Sequence, residues 1–391
     1  VSLSPFDSYR PPEEPRRGKR RSPVRGAATG AARSVAALRG SSVAPQEPGG
    51  RGWLNRDGGG RREAPAVPDA EFSSYYGQPV IKPIPWEWPI PAYLFTGGLA
   101  AGSGILGSGA ALTGRELLRR RSRIVAVVGT AASGGLLIAD LGRPERFLNM
   151  MRTVKLTSPM SVGTWILSAY GAASGLTTAA EVARLVPAQG WGPISGLARV
   201  VRSLETPAAL GQALVAPPFA AYTAVLLTNT STPVWFESRR HLPFVFSGSA
   251  ALASGGVQMV LTPTEQARPA RRLAALGAAG ELVAMHQLEE HLTREGLEEP
   301  LRTGEAGTRL RLAKALTIAG GLGTLLAGRS RVAAVASGAA LAAASALTRF
   351  GVFEAGMVSA KDPKYTVGPQ KRRLEERRSQ GQVGDGIVTV G

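Results

Sequence analysis

Apolar residues gather between positions 89 and 360 in long runs broken by short charged connectors, and the flanking stretches are polar. A helix needs about 20 mostly apolar residues to cross a hydrocarbon core of roughly 30 Å. Eight runs meet or approach that length, at 90–113, 124–141, 160–184, 206–228, 242–262, 272–292, 312–328 and 332–358. The pattern predicts an all-α integral membrane protein of eight transmembrane helices, grouped as two four-helix bundles, with disordered polar tails. The divisions it implies are a disordered basic tail over 1–74, a Pro/Trp-rich interfacial lead-in over 75–89, the eight-helix domain over 90–358, and a polar basic tail over 359–391. Two runs are weak. The sixth is interrupted by Glu281, His286, Glu289, Glu290 and His291, and the seventh is short, with only Arg329-Ser330-Arg331 before the eighth. For these two, a soluble helical array is the competing reading.

The first run carries Gly97-Gly98, Gly102, Gly104, Gly107 and Gly109, and Gly255-Gly256 and Gly320-Gly321-Gly323 repeat the signal later. In water each glycine would cost a helix about 1 kcal/mol. In lipid such residues let neighbouring backbones approach closely, so a tight bundle is expected. Pro217-Pro218 is expected to kink the fourth run. Upstream, YYGQPVIKPIPWEWPIPAY (75–93) holds five prolines, which forbid a helix and force an extended path. Its Trp86, Trp88, Tyr75, Tyr76 and Tyr93 suit a belt at the membrane interface.

Composition sharpens this picture. The 391 residues contain no cysteine and three histidines, and 46 Lys/Arg against 28 Asp/Glu leave a formal charge of +18. Without cysteine the protein has no disulfide framework, thiolate iron–sulfur cluster, c-type haem attachment, cysteine nucleophile or zinc ribbon. His286 and His291 lie about 140° apart on a helix, a poor pair for one metal. No haem, iron–sulfur or metal site is therefore expected in this chain, and any metal centres belong to a partner. Basic runs such as Arg16-Arg17-Gly18-Lys19-Arg20-Arg21 suit anionic lipid headgroups, and no nucleic-acid partner is expected. No apolar signal-peptide run follows the basic stretch, so cleavage is not expected. The connectors on the two faces carry nearly equal Lys/Arg, so they do not set orientation; a long basic tail without an export signal favours a cytoplasmic start.

Candidate chemistry concentrates after the second run. Asp140 ends an apolar helix, where a lone carboxylate is costly, and Arg143 or Arg146 in the next turn is placed to pair with it. The same arrangement also reads as a surface ion pair that fixes the loop. Glu281 falls mid-run beside Gly277 and Gly280 and needs a polar partner or a water-filled cavity. A proton path along that helix competes with a helix that leaves the bilayer at His286 with a solvated acidic end. Trp88, Tyr93 and Trp165 read either as interface anchors or as ring-binding groups.

At PIPAYLFTGGLAAGS (89–103) and DLGRPERFLNMMRTVKLTSPMSVGTW (140–165) the protein resembles the NrfD-like family, the membrane subunits of polysulfide-reductase-type complexes. The resemblance covers about 75–360. It implies a multi-pass subunit of the cell membrane that binds no prosthetic group itself and exchanges electrons with an exchangeable (mena)quinone. It further implies a four-cluster ferredoxin-type iron–sulfur subunit as docking partner, connected to a molybdopterin catalytic subunit. On this reading Trp88, Tyr93 and Trp165 are candidates for quinone binding, and Asp140 and Glu281 for proton transfer. Arg143, Arg146 and Lys155 would be the charge-partner and loop groups beside Asp140. The protein would be the quinone-handling part of an oxidoreductase rather than an enzyme alone. A secondary transporter or channel using buried carboxylates is the alternative; it predicts inverted repeats, and no convincing pair of matching halves is visible.

Overall fold

The computed structural model describes residues 79–141, 145–187 and 192–381. The basic tail expected over 1–74 lies outside the described residues. Every regular element among them is helical. The eight longest helices are α1 (Pro89–Leu112), α2 (Glu116–Asp140), α3 (Pro159–Ala183), α4 (Glu205–Thr228), α5 (Leu242–Leu261), α6 (Arg268–Arg294), α7 (Gly304–Leu326) and α8 (Arg331–Lys361). Each falls on one of the apolar runs. Five of them, α1, α2, α4, α5 and α8, are long and apolar enough to cross a membrane. The other three are more polar. α3 is rich in hydroxyl side chains (Ser161, Thr164, Ser168, Thr177, Thr178), and α6 and α7 are charged at the ends that share the 294–304 connector.

Helix starts follow local chemistry. Pro89 and Pro91 open α1, where the missing N–H costs nothing and the fixed φ suits the first turn. Ser158 caps α3 by accepting from the Ser161 amide, and Ser330 caps α8 by accepting from Ala333. The C-terminal carbonyls of α5 are taken up by arginines from other helices. Arg331 donates to Met259 O and Thr262 O at 2.7 Å each, and Arg121 donates to Leu261 O. Pro217 and Pro218 lie inside α4, which is helical on both sides of the pair.

α1 is the hub: it packs on α2, α4, α5 and α8. Around it α2 packs on α3 and α3 on α4; on the other side α5 packs on α6 and α8, and α7 on α6 and α8. Small residues make these approaches possible. A Cβ on Gly248 of α5 would stand 2.7 Å from the Glu281 backbone nitrogen, and one on Gly277 of α6 would stand 2.4 Å from that of Leu252. Because the obstructing atoms are backbone, no rotamer relieves the clash. Gly248→Val is therefore expected to destabilise the fold by about 1–3 kcal/mol, read as a lower midpoint of thermal unfolding in detergent. An unchanged midpoint would mean that α5 and α6 are not in close contact there.

The C-terminal segment departs from expectation. Instead of a disordered tail from 359, α8 continues to Lys361 and a further helix spans Lys364–Ser379. That helix is too polar to announce itself by periodicity, and tertiary contacts hold it. Tyr365 and Pro369 are buried, Arg372 pairs with Glu295 at 3.0 Å, and Arg373 pairs with Glu237 at 2.7 Å.

Candidate functional site

The lead-in segment 79–88, the C-terminus of α2 and the start of α3 come together at one rim of the molecule. Asp140, the last residue of α2, is half-buried, and its carboxyl group lies beside the backbone of Glu87. The non-helical path that the prolines enforce therefore brings the lead-in back onto the end of α2. Trp88 stands at the N-terminus of α1 with 65% of its surface exposed. Tyr93, one turn on, is only 1% exposed and belongs to the apolar core with Leu94, Leu137, Leu167 and Phe219. Thr96 and Ser133 join α1 to α2 through a hydroxyl pair at 2.8 Å, below Tyr93 and Asp140 respectively.

The 145–158 connector is partly ordered by α3. Trp165 is 38% exposed and reaches the Thr153 carbonyl with its indole N–H at 3.5 Å, and Ser161 Oγ accepts from the Lys155 amide at 3.0 Å. The Lys155 side chain is exposed. Arg143 lies outside the described residues. Arg146 opens the short helix Arg146–Met150, but its side chain is also outside them, and with it the expected pairing with Asp140. Among the candidates, then, Trp88, Asp140 and Trp165 share a rim that solvent or lipid reaches, whereas Tyr93 sits behind it.

An aromatic contact at this rim was not foreseen. Trp86 of the lead-in lies 6.1 Å from Trp235, which is wholly buried and donates its N–H to Val352 O at 2.9 Å. Phe353 packs 5.5 Å from the same ring, and Gly356 leaves room for it. Trp235 sits in the short helix Pro233–Glu237, within a connector whose charged residues drew attention away from it.

Glu281 occupies a separate place, in the interior formed by α5–α8. It is 3% exposed, accepts from Thr317 Oγ1 at 3.3 Å through one oxygen, and has no partner for the other. Ser249, Thr348 and the guanidinium of Arg349 surround it. A cavity of about 20 Å³ runs from Glu281 past Thr317 and Thr348 towards Glu289 and Lys314, which pair at 3.6 Å. That volume admits about one water molecule. His286 and Glu290 pair at 3.2 Å on an exposed face of α6 beyond the buried carboxylate.

Arg349 is another residue that sequence reading missed. It lies mid-way along the last apolar run, fully buried, its guanidinium 3.7 Å over the Phe246 ring and donating to Phe246 O at 2.7 Å. A lone arginine within an otherwise small and apolar run was the available signal. The two histidines His241 and His291 also meet, with ring centroids 5.1 Å apart. Burial, then the neighbouring His291, Arg294 and Arg240, hold the His241 imidazole below its ordinary value of 6.5. A depressed histidine means that the unfolded chain takes up the proton first. Stability is therefore full above the ordinary value and declines as pH falls through about 6.5. His241→Gln should flatten that acid-side decline in a melting-temperature profile; an unchanged slope would assign it to other groups.

These features define a polytopic helical membrane protein, with one rim that gathers a half-buried carboxylate and aromatic side chains and a second polar centre buried among its later helices. The profile of the family described as "Polysulphide reductase, NrfD" matches residues 80–293, more than half of the sequence, and the protein belongs to that family. It is similar to Protein NrfD of Escherichia coli (strain K12), at 29% identity over 201 residues, covering 46% of this chain and 60% of that protein. It is also similar to the C subunit of the polysulfide reductase of Wolinella succinogenes, at 28% identity over 180 residues, covering 44% of this chain and 57% of that one. The matched part thus spans less than two thirds of either relative.

Proposed function

We propose that this protein is the quinone-reactive membrane subunit of a multi-subunit oxidoreductase, passing electrons between a partner iron–sulfur protein and a membrane quinone. On this reading all eight long helices span the cell membrane, α1–α4 as one four-helix bundle and α5–α8 as the other. The observation that carries the reading is the rim where Asp140 meets the lead-in, in a protein whose family includes the matched polysulfide reductase subunit. A quinone accepts two electrons and two protons. The electrons come from clusters on a four-cluster ferredoxin-type subunit, itself served by a molybdopterin catalytic subunit, since this chain has no cysteine to hold a cluster. What the protein supplies is an apolar slot, orienting donors and a proton route.

Residue roles follow from placement. Trp88 and Trp165, at the accessible rim, would bracket the ring, while Tyr93 shapes the wall behind it. Asp140 would deliver or accept the proton beside the ring, with Arg143, Arg146 and Lys155 as charge partners in the connector. Glu281, with its unpartnered oxygen and one-water cavity, is the proposed proton-transfer group of the second bundle. Purification with the associated subunits, followed by reduction of a soluble quinone analogue with and without this subunit, tests the proposal. Turnover that requires the subunit is expected. Equal turnover without it, or ion flux by the isolated protein in vesicles without any redox partner, would replace this reading with an anchor or a transporter.

A further inference from the structure

At the rim opposite Asp140, three guanidiniums meet two carboxylates. Arg123, 1% exposed at the start of α2, donates from one nitrogen to Glu181 of α3 and to Glu205 of α4 at 2.8 Å each. Arg119 donates to Glu181 at 2.7 Å, and Arg184 grips both oxygens of Glu205 at 2.9 and 2.7 Å. Among the ion-paired groups three cations face two anions, leaving one positive charge, while Glu116, one turn before Arg119, acts on that guanidinium from outside the pairing. The Nε and second terminal nitrogen of Arg123 have no hydrogen-bond partner, so the buried guanidinium is under-satisfied.

A cavity of about 170 Å³ opens beside this network, with Arg119, Arg123 and Arg184 in its wall and Leu112 and Leu210 at its mouth. Both leucines are exposed, and Leu214, one turn along α4 from Leu210, continues the apolar strip down the helix. The cavity lies where α1 ends and α2 and α4 begin, the level at which apolar helices meet headgroups. Leading into α4 is the 11-residue helix Pro193–Ser203. Its Ile194, Leu197 and Val200 form one exposed face together with the following Leu204, and Ser195 and Ala198 are buried on the other. A short helix with an unpartnered apolar face beside arginines is built to lie in the interface of a bilayer.

We propose that this cavity binds the phosphodiester headgroup of an anionic phospholipid, with its acyl chain along Leu112, Leu210 and Leu214. The surplus positive charge matches the single negative charge of a phosphodiester, and the exposed guanidinium of Arg184 together with Arg119 presents the donors. An uncharged network would hold zwitterionic lipid equally well; the unbalanced arginine is what selects the anion. The site is on the opposite rim from Asp140 and does not depend on the quinone reading.

The test uses the full-length protein in detergent micelles, supplied with phosphatidylglycerol or phosphatidylcholine and weighed by native mass spectrometry. Phosphatidylglycerol should be retained over phosphatidylcholine about fivefold, the ratio expected for one arginine near the surface. Arg184→Gln, which leaves Arg123 on Glu205, should bring the ratio to about one. Ala111→Phe, which fills the cavity and changes no charge, should lower retention of both lipids, and it decides the matter if the arginine variant fails to fold. Lys371→Gln, in the C-terminal helix, should keep the preference. Equal retention of the two lipids by the unaltered protein, preference preserved in both cavity variants, or inorganic phosphate raising the melting temperature as much as phosphatidylglycerol would each overturn the proposal.

Discussion

Asp140→Asn is expected to lower quinone-linked turnover of the assembled complex by roughly 10²–10⁴-fold, the range that a positioned proton-transferring group contributes. The replacement is nearly isosteric, and an amide oxygen can still accept from the Glu87 backbone, so the lead-in should keep its place on α2. What disappears is the ability to gain and lose a proton beside the bound ring. The loss should therefore fall on kcat with KM little changed, and electron transfer to a soluble acceptor at the partner subunit should be unaffected. Glu87→Gln separates proximity from role. Glu87 lies next to Asp140 but, being in the lead-in, is not on the helix that ends at the site, so its replacement should leave turnover close to that of the unaltered protein. Steady-state reduction of a quinone analogue by the three proteins over a pH series decides between these outcomes. Unchanged turnover in Asp140→Asn would reduce the carboxylate to a loop contact.

How much of this was legible in the sequence depends on which force built each part. Apolar runs need little tertiary help to declare themselves, so the run at 90–113 became Pro89–Leu112 and that at 332–358 became Arg331–Lys361. Even the interrupted sixth run became a helix, Arg268–Arg294, because its charges cluster at the ends and leave Glu281 alone in the middle. The rim at Asp140 was legible for a similar reason. Pro79, Pro83 and Pro85 dictate an extended approach, whereas Pro89 and Pro91 open α1 instead of extending that path, and the end of an apolar run dictates depth. The helices Pro193–Ser203 and Lys364–Ser379 were not legible. The second is held by Arg372 and Arg373 reaching glutamates about 77 and 136 positions away, and no local pattern encodes such partners. Arg123 and Arg349 were missed because a side chain's partners, not its own type, decide whether a charge can be buried.

Removing Arg349 should be the most damaging single change in the later helices. Its guanidinium lies where three helices converge: Phe246 of α5 offers its ring face and carbonyl, and Gly98 of α1 would bring a Cβ within 3.0 Å of it. Glu281 is the acidic group whose field it experiences, though the two do not touch as an ion pair. Arg349→Leu therefore strips the countercharge from a buried carboxylate and removes the side-chain bond that the Phe246 carbonyl accepts beside its helical one. A loss of about 3–5 kcal/mol is expected, as for other buried charges deprived of a partner. Arg349→Leu combined with Glu281→Gln removes both charges, and should recover a substantial share of that loss. Thermal unfolding of the three variants in the same detergent measures the coupling. If the double variant is no more stable than Arg349→Leu alone, the arginine acts by filling space between α1, α5 and α8. If stability returns, the two charges form one electrostatic unit, and the same double variant becomes the means of asking whether proton transfer through Glu281 requires it.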